Sequence, residues 1–171
     1  MIKTVFQSSI YCLLLLFVSF LGAADQSLHL SLPDLNGKLQ NLEQYKGKWI
    51  IVNYWATSCQ PCLKEIPELA SFYEQHKDKD AVVLGINYED IPLSWLQQFM
   101  NTVPINYPVW RSLPSAKTPF GLIQVLPTTY IISPEGKLMG RQQGAVNQEM
   151  LNNYLEKKTR EARIQQDALK P

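Results

Sequence analysis

Four residues, Cys59-Gln60-Pro61-Cys62, constrain this chain more than any others because of where they fall. They follow Trp49–Trp55 (WIIVNYW), a β-rich run with apolar residues at nearly every position, as a central strand covered on both faces requires. They open a segment, residues 61 to about 75, in which Leu63, Ile66, Leu69, Ala70 and Tyr73 form an apolar stripe at helical spacing. Pro61 suits the first turn of that helix, and Pro67 within it is expected to kink it. The pattern therefore predicts a strand, a tight link and a helix whose N-terminus carries both cysteines. Free N–H groups and the positive dipole end there favour a thiolate. A free thiol titrates near pH ~8.5, and C-x-x-C cysteines at helix starts fall to roughly 3.5–7.5. Cys59, at the exposed edge, is the expected nucleophile, and Cys62, a turn inward, the resolving thiol.

The cysteine count sharpens this. The chain of 171 residues has three cysteines, and Cys12 lies in an apolar run, residues 10–21 (IYCLLLLFVSFL). With Lys3 before that run and Gly22-Ala23-Ala24 after it, residues 1–24 have the layout of a secretory signal cleaved after Ala24. The run is short of the roughly 20 residues that cross a bilayer, and an uncleaved N-terminal anchor is the alternative. Either way the domain is expected outside the cytoplasm. Cys12 lacks the small-residue context of a lipid-modified cysteine and reads as a small apolar residue. An exported domain normally uses its cysteines for structural bridges. This one keeps only the close pair, and a bridge enclosing two residues constrains the unfolded chain very little. The pair is poor as a staple and suited to being a reagent.

Without Lys3 the charges balance at 15 basic and 15 acidic residues. That argues against a nucleic-acid surface, which needs a basic excess, and against steering by a strong global field. Zinc would need two more ligands, and the two histidines, His29 and His76, are isolated.

The remaining chain reads as one domain, residues 25–157, with a polar extension at 158–171. Residues 28–35 and 38–42 flank Asn36-Gly37 and predict an N-terminal hairpin, followed by a short link to residue 48. Lys77-Asp78-Lys79-Asp80 is a solvated turn, and Ala81–Tyr88 a second buried strand. Residues 92–101 predict a short helix with Leu93, Leu96 and Phe99 inward. The proline-punctuated residues 103–119 predict no regular element beyond a helical turn around 117–123. Residues 128–133 and 137–143 predict a hairpin about Pro134-Glu135-Gly136, and residues 147–157 a final helix. Strand–helix–strand order implies parallel pairing with right-handed crossovers, and the last hairpin is antiparallel. The expectation is an α/β fold with a mixed sheet flanked by helices.

WATSCQPC, with VLPTTYIISPEGKL downstream, resembles the thioredoxin superfamily, and within it the exported TlpA, ResA and DsbE (cytochrome c maturation) reductases. The match runs from about Leu28 to Tyr154 and implies a thioredoxin-like fold with an added N-terminal β-hairpin. The resemblance implies that Pro127 is a cis-proline beside the active site, leaving the backbone of Leu126 free to pair with a substrate strand. Glu65 matches an acid that this group places near the resolving cysteine, where it could relay a proton; complementing the helix dipole is the alternative. Thioredoxins proper have a buried Asp at the position of Asn53. Asn relays no proton, which strengthens the case for Glu65 and leaves Asn53 to satisfy backbone groups. Gln60, Pro61 and Trp55 are candidate substrate contacts, with a core role equally open to Trp55. Ser58 departs from the usual Trp and opens the surface beside Cys59. Asn87-Tyr88-Glu89-Asp90 is similar to the cytochrome c maturation members; Glu89 could line the site or be a solvated helix-start acid.

The resemblance implies an exported thiol–disulfide oxidoreductase that works through a Cys59–Cys62 disulfide, needs no cofactor or metal, and exchanges with protein thiols and disulfides such as apocytochrome c. An electron-donating membrane thiol protein would regenerate it. Gln60-Pro61 contains no His to stabilise the thiolate, which favours a reductant over a dithiol oxidant or isomerase. A thiol peroxidase would need Thr where Ala56 stands. Copper chaperones of this fold favour C-x-x-x-C and a distal His, both absent, so a metallochaperone or redox-inactive binding module is the remaining alternative.

Overall fold

The computed structural model describes residues 28–114 and 118–169; the expected signal segment, Cys12 and the last two residues lie outside them. Among the described residues no helix is long and apolar enough to cross a membrane.

A two-stranded antiparallel hairpin comes first, β1 (Ser31–Pro33) and β2 (Leu39–Asn41). Asp34 accepts from the N–H groups of Asn36 and Lys38, and Gly37 adopts φ 77°, which closes the turn Asn36-Gly37 signalled. A 3-10 turn, Leu42–Tyr45, leads into β3 (Trp49–Trp55). Then follow α1 (Gln60–His76), β4 (Ala81–Tyr88), α2 (Leu93–Met100), β5 (Val109–Ser112), β6 (Thr128–Ile132), β7 (Leu138–Gln143) and α3 (Gln148–Ala168). The main sheet has the order β5-β4-β3-β6-β7. β3, β4 and β5 are parallel, while β6 and β7 run antiparallel to their neighbours. This is the thioredoxin-like architecture expected, with the hairpin appended.

The sheet alternates its burial between two apolar clusters. Ile51 and Trp55 of β3 and Val83 of β4 face one, where Leu69 and Phe72 of α1, Leu96 of α2, and Leu151 and Leu155 of α3 close over them. Ile50, Val52 and Tyr54 of β3 face the other, closed by Leu30, Leu42 and Ile123 with Phe120 packed alongside. Two-sided burial is why β3 and β4 read as continuous apolar runs.

Three expectations give way. Residues 109–112 form the edge strand β5, paired Gly85↔Val109 through Tyr88↔Ser112, where no strand was expected. No helical turn forms at 118–123: Thr118 and Gly121 form a tight β-bridge, with Gly121 at φ 85°. The final helix does not stop near residue 157 but runs to Ala168, so the polar extension is its continuation. Asn147 caps that helix by accepting from the Met150 N–H at 2.8 Å.

Candidate active site

β3 ends at Trp55 in the middle of the sheet, and the chain turns through Ala56, Thr57 and Ser58 before α1 begins. The Cys59 N–H donates to the Ala56 carbonyl at 3.2 Å, closing that turn. Cys59 is the N-cap of α1, with extended backbone angles, and its Sγ accepts from the Cys62 N–H at 3.3 Å. The thiolate expected here therefore has a helix N–H already aimed at it. The two cysteines form a disulfide, with Cα atoms 5.2 Å apart. They differ in exposure: Cys59 is half-buried, while Cys62 has 0% of its surface exposed. Gln60 and Pro61 between them are exposed.

Behind Cys62, one helical turn on, lies Glu65, 2% exposed. Residues three apart on a helix are neighbours, at about 5–6 Å between Cβ atoms. Its carboxylate accepts from the Asn53 side-chain amide at 2.8 Å and from the Val146 N–H at 2.8 Å. Burial nevertheless dominates and pushes the Glu65 carboxyl up to about 7, against the lowering effect of both donors. Asn53 also donates to Thr129 Oγ1 at 3.1 Å, in register with its strand partner. The expectation that Asn53 serves backbone groups is thus corrected: it holds the Glu65 carboxylate. Tyr107, buried on the same side, has its phenol raised by burial and then by the nearby Glu65 charge.

Leu126-Pro127 is a cis peptide bond. Because Tyr54 pairs with Thr128 in the antiparallel β3–β6 ladder, Pro127 lies beside the end of β3 from which the cysteine loop emerges. Pro127 is buried and Leu126 half-buried. The Gly144 N–H takes the Pro127 carbonyl at 2.9 Å, and Thr128 Oγ1 donates to the Val125 carbonyl at 2.6 Å, which fixes the bend on both sides.

Trp55 departs from the expectation of substrate contact. It is 1% exposed, packed with Phe99 at 6.2 Å between ring centroids and against Gly85, so its role is in the core. Glu89 is not a helix-start acid either. It is half-buried, four residues before α2, and turns back onto the cysteine loop. Thr57, which bonds to it, and Val146 were not singled out in the sequence, and Asn87 was quoted only as part of the Asn87–Asp90 motif. Val146 acts through its backbone, which no residue type signals. Clefts of about 420 Å³ between α1 and α3 and about 260 Å³ between the 3-10 turn and the β6–β7 turn include none of Cys59, Cys62 or Pro127. The part-exposed Cys59 lies among exposed Ser58, Gln60 and Pro61, where a macromolecular thiol can reach it.

Residues 23–141 match the AhpC/TSA family. The chain is 32% identical over 124 residues to the thiol-disulfide oxidoreductase ResA of Bacillus subtilis, covering 72% of this chain and 69% of that protein. The chain belongs to the AhpC/TSA family. Within it, the chain is a thiol-disulfide oxidoreductase of the ResA type. Among solved structures it is similar to a DsbF homologue of Corynebacterium diphtheriae, with TM-score 0.68 and 26% identity, covering 77% of this chain and 85% of that one. A secreted thiol-disulfide isomerase of Corynebacterium glutamicum has the same fold, with TM-score 0.68 and 23% identity over 75% of this chain and 81% of that one. The AhpC/TSA match ends at residue 141, just short of the Gly144 and Val146 backbone groups that brace Pro127 and Glu65.

Proposed function

We propose that the Cys59–Cys62 pair is the redox centre of an exported reductant of protein disulfides, with oxidised apocytochrome c or a similar target as client. The observation that carries this is the asymmetry of the pair: a half-buried Cys59 at a helix start, and a fully buried Cys62 backed by a Glu65 that titrates near neutrality. In the dithiol form, the Cys59 thiolate attacks one sulfur of the client disulfide. A Cys59–client S–S bond forms, the client S–S bond breaks, and the departing client sulfur takes up a proton. Cys62 then gives its proton to Glu65 and attacks Cys59 Sγ. The Cys59–Cys62 bond forms, the mixed disulfide breaks, and the second client sulfur leaves as a thiolate. Two electrons pass to the client, and the site is left oxidised. A carboxyl with pKa about 7 can take that proton and return it at neutral pH.

The Leu126–cis-Pro127 link is the surface against which the client's extended segment lies, with exposed Gln60 and Pro61 as further contacts. An electron-donating membrane thiol protein restores the dithiol. Export fits the signal-like residues 1–24 and the secreted character named for the C. glutamicum protein.

Trapping tests this reading. A reduced Cys62→Ala variant, which forms mixed disulfides but cannot resolve them, should accumulate covalent complexes with exported c-type apoproteins that dissolve on reduction. Cys59→Ala should trap none. A Cys62→Ala variant that captures no protein would contradict the proposed role.

A further inference from the structure

Glu89 makes a set of contacts that the exchange chemistry leaves unexplained. It sits just past the end of β4, yet its carboxylate reaches across to the loop before Cys59. Oε2 accepts from the Thr57 N–H at 2.7 Å and from the Asn87 side-chain amide at 2.8 Å. Oε1 accepts from Thr57 Oγ1 at 3.0 Å and from Ser58 Oγ at 3.4 Å. The carboxylate accepts from four donors, the pattern of the ionised form. Its own loop is pinned from the other side, where Arg111 of β5 donates to the Ile91 carbonyl at 2.6 Å. Asn87, which orients Oε2, is fully buried and paired with Trp55 in the β3–β4 register.

The three residues between β3 and Cys59, the N-cap of α1, have no ladder partners, so their position rests on local bonds. The Ala56–Cys59 turn supplies one and Glu89 supplies three. Thr57 is two residues from Cys59, at most ~7.6 Å between Cα atoms, so the negative charge bonded to it lies within roughly 14 Å of the attacking sulfur, on the same short loop. A like charge at that range disfavours the thiolate. Disfavouring the thiolate destabilises the reduced pair and makes it a better electron donor.

We propose that Glu89 is a positioning residue for exchange: it fixes Thr57 and Ser58, and so the start of α1, and it places a negative charge behind Cys59 that keeps the couple reducing. This rests on the reductant reading above. Among the other charged or titratable groups on the surrounding elements are Lys64, Glu65, Glu68, Tyr73, Glu74 and His76 of α1, Tyr88 and Asp90 beside Glu89, Arg111 of β5, Glu149 at the start of α3 and Arg141 of β7. Tyr130 of β6 faces the opposite cluster. None of these accepts from the loop 56–58.

The bonding pattern supplies its own control. In Glu89→Gln the amide oxygen can keep the Oε2 position and both its donors, while the NH2 group donates to the two hydroxyls, which accept as readily as they donate. Geometry is kept and charge is lost. In Glu89→Ala both are lost.

The test follows iodoacetamide alkylation of Cys59 in the reduced full chain against pH, located by mass spectrometry, together with amide hydrogen exchange at Thr57. Glu89→Gln should lower the alkylation midpoint by roughly half a pH unit or more, with Thr57 exchange close to wild type. Glu89→Ala should speed Thr57 exchange at least tenfold. An unchanged or raised midpoint in Glu89→Gln overturns the charge role, and wild-type exchange at Thr57 in Glu89→Ala overturns the bracing role. The wild-type reduction potential separates the two claims: an oxidising wild type sinks the reductant reading, whereas a reducing wild type with an unmoved Glu89→Gln midpoint sinks only this one.

Discussion

Glu65 meets two opposing influences. Two donors stabilise its charge, and burial at 2% exposure disfavours it more strongly, so the carboxyl titrates near 7 in the folded protein against 4.5 as its ordinary value. A folded-state pKa raised in this way means that the native protein binds more protons than the unfolded chain between pH 4.5 and about 7. Its contribution to stability is therefore complete below pH 4.5 and is lost as the pH rises through 7. Urea unfolding of the oxidised wild type should show a loss on the order of 3 kcal/mol across that window from this group. Glu65→Gln should flatten the dependence, and an equal slope in both proteins would contradict the assignment. The same variant should slow release of the mixed disulfide about 10²-fold or more, read by single-turnover kinetics with an oxidised client. The residues carrying this chemistry were legible because C-x-x-C and Glu65 share one helix and one spacing. Asn53 and Thr129 were not legible as partners, because 76 positions separate them and only strand register brings them together.

The elements divide along the same line. β3, β4 and α1 have apolar periods long enough to announce themselves, and their bounds match the sequence pattern closely. β5 does not: it is four residues long, lies among Pro104, Pro108 and Pro114, and owes its existence to pairing with β4. The outer half of α3 escaped for a different reason. Its last buried residue is Leu155, and beyond it no apolar stripe marks a helix, although Glu, Lys, Arg, Gln and Ala favour one. Deleting residues 159–171 should then change unfolding stability by no more than about 0.5 kcal/mol, since no core contact is lost; a fall of several kcal/mol would show a packing role for the outer turns. The inner half of α3 is held differently. Tyr154 donates to the Met139 carbonyl at 2.6 Å, and a Cβ on Gly140 would come within 2.8 Å of that hydroxyl. Gly140→Ala should displace the tyrosine, break the bond and cost about 1–2 kcal/mol in chemical denaturation.

In the whole molecule, the fold brings one reactive pair to the surface. The central strand delivers the cysteines to the start of α1, a neighbouring strand delivers Pro127 beside them, and the two apolar clusters hold these strands from both faces. Around the pair, Glu65 and Glu89 are the carboxylates that hydrogen bonds hold against the elements flanking it. In the proposed mechanism Glu65 manages the proton of Cys62, and both the charge of Glu89 and the absence of a histidine between the cysteines act against a stabilised thiolate. A couple built this way should give electrons away. The most direct test is the reduction potential of Cys59–Cys62 in the purified chain, equilibrated against glutathione and dithiothreitol couples. A reducing centre should give a value well below about −200 mV, and a value near about −120 mV, that of a strong dithiol oxidant, would contradict it.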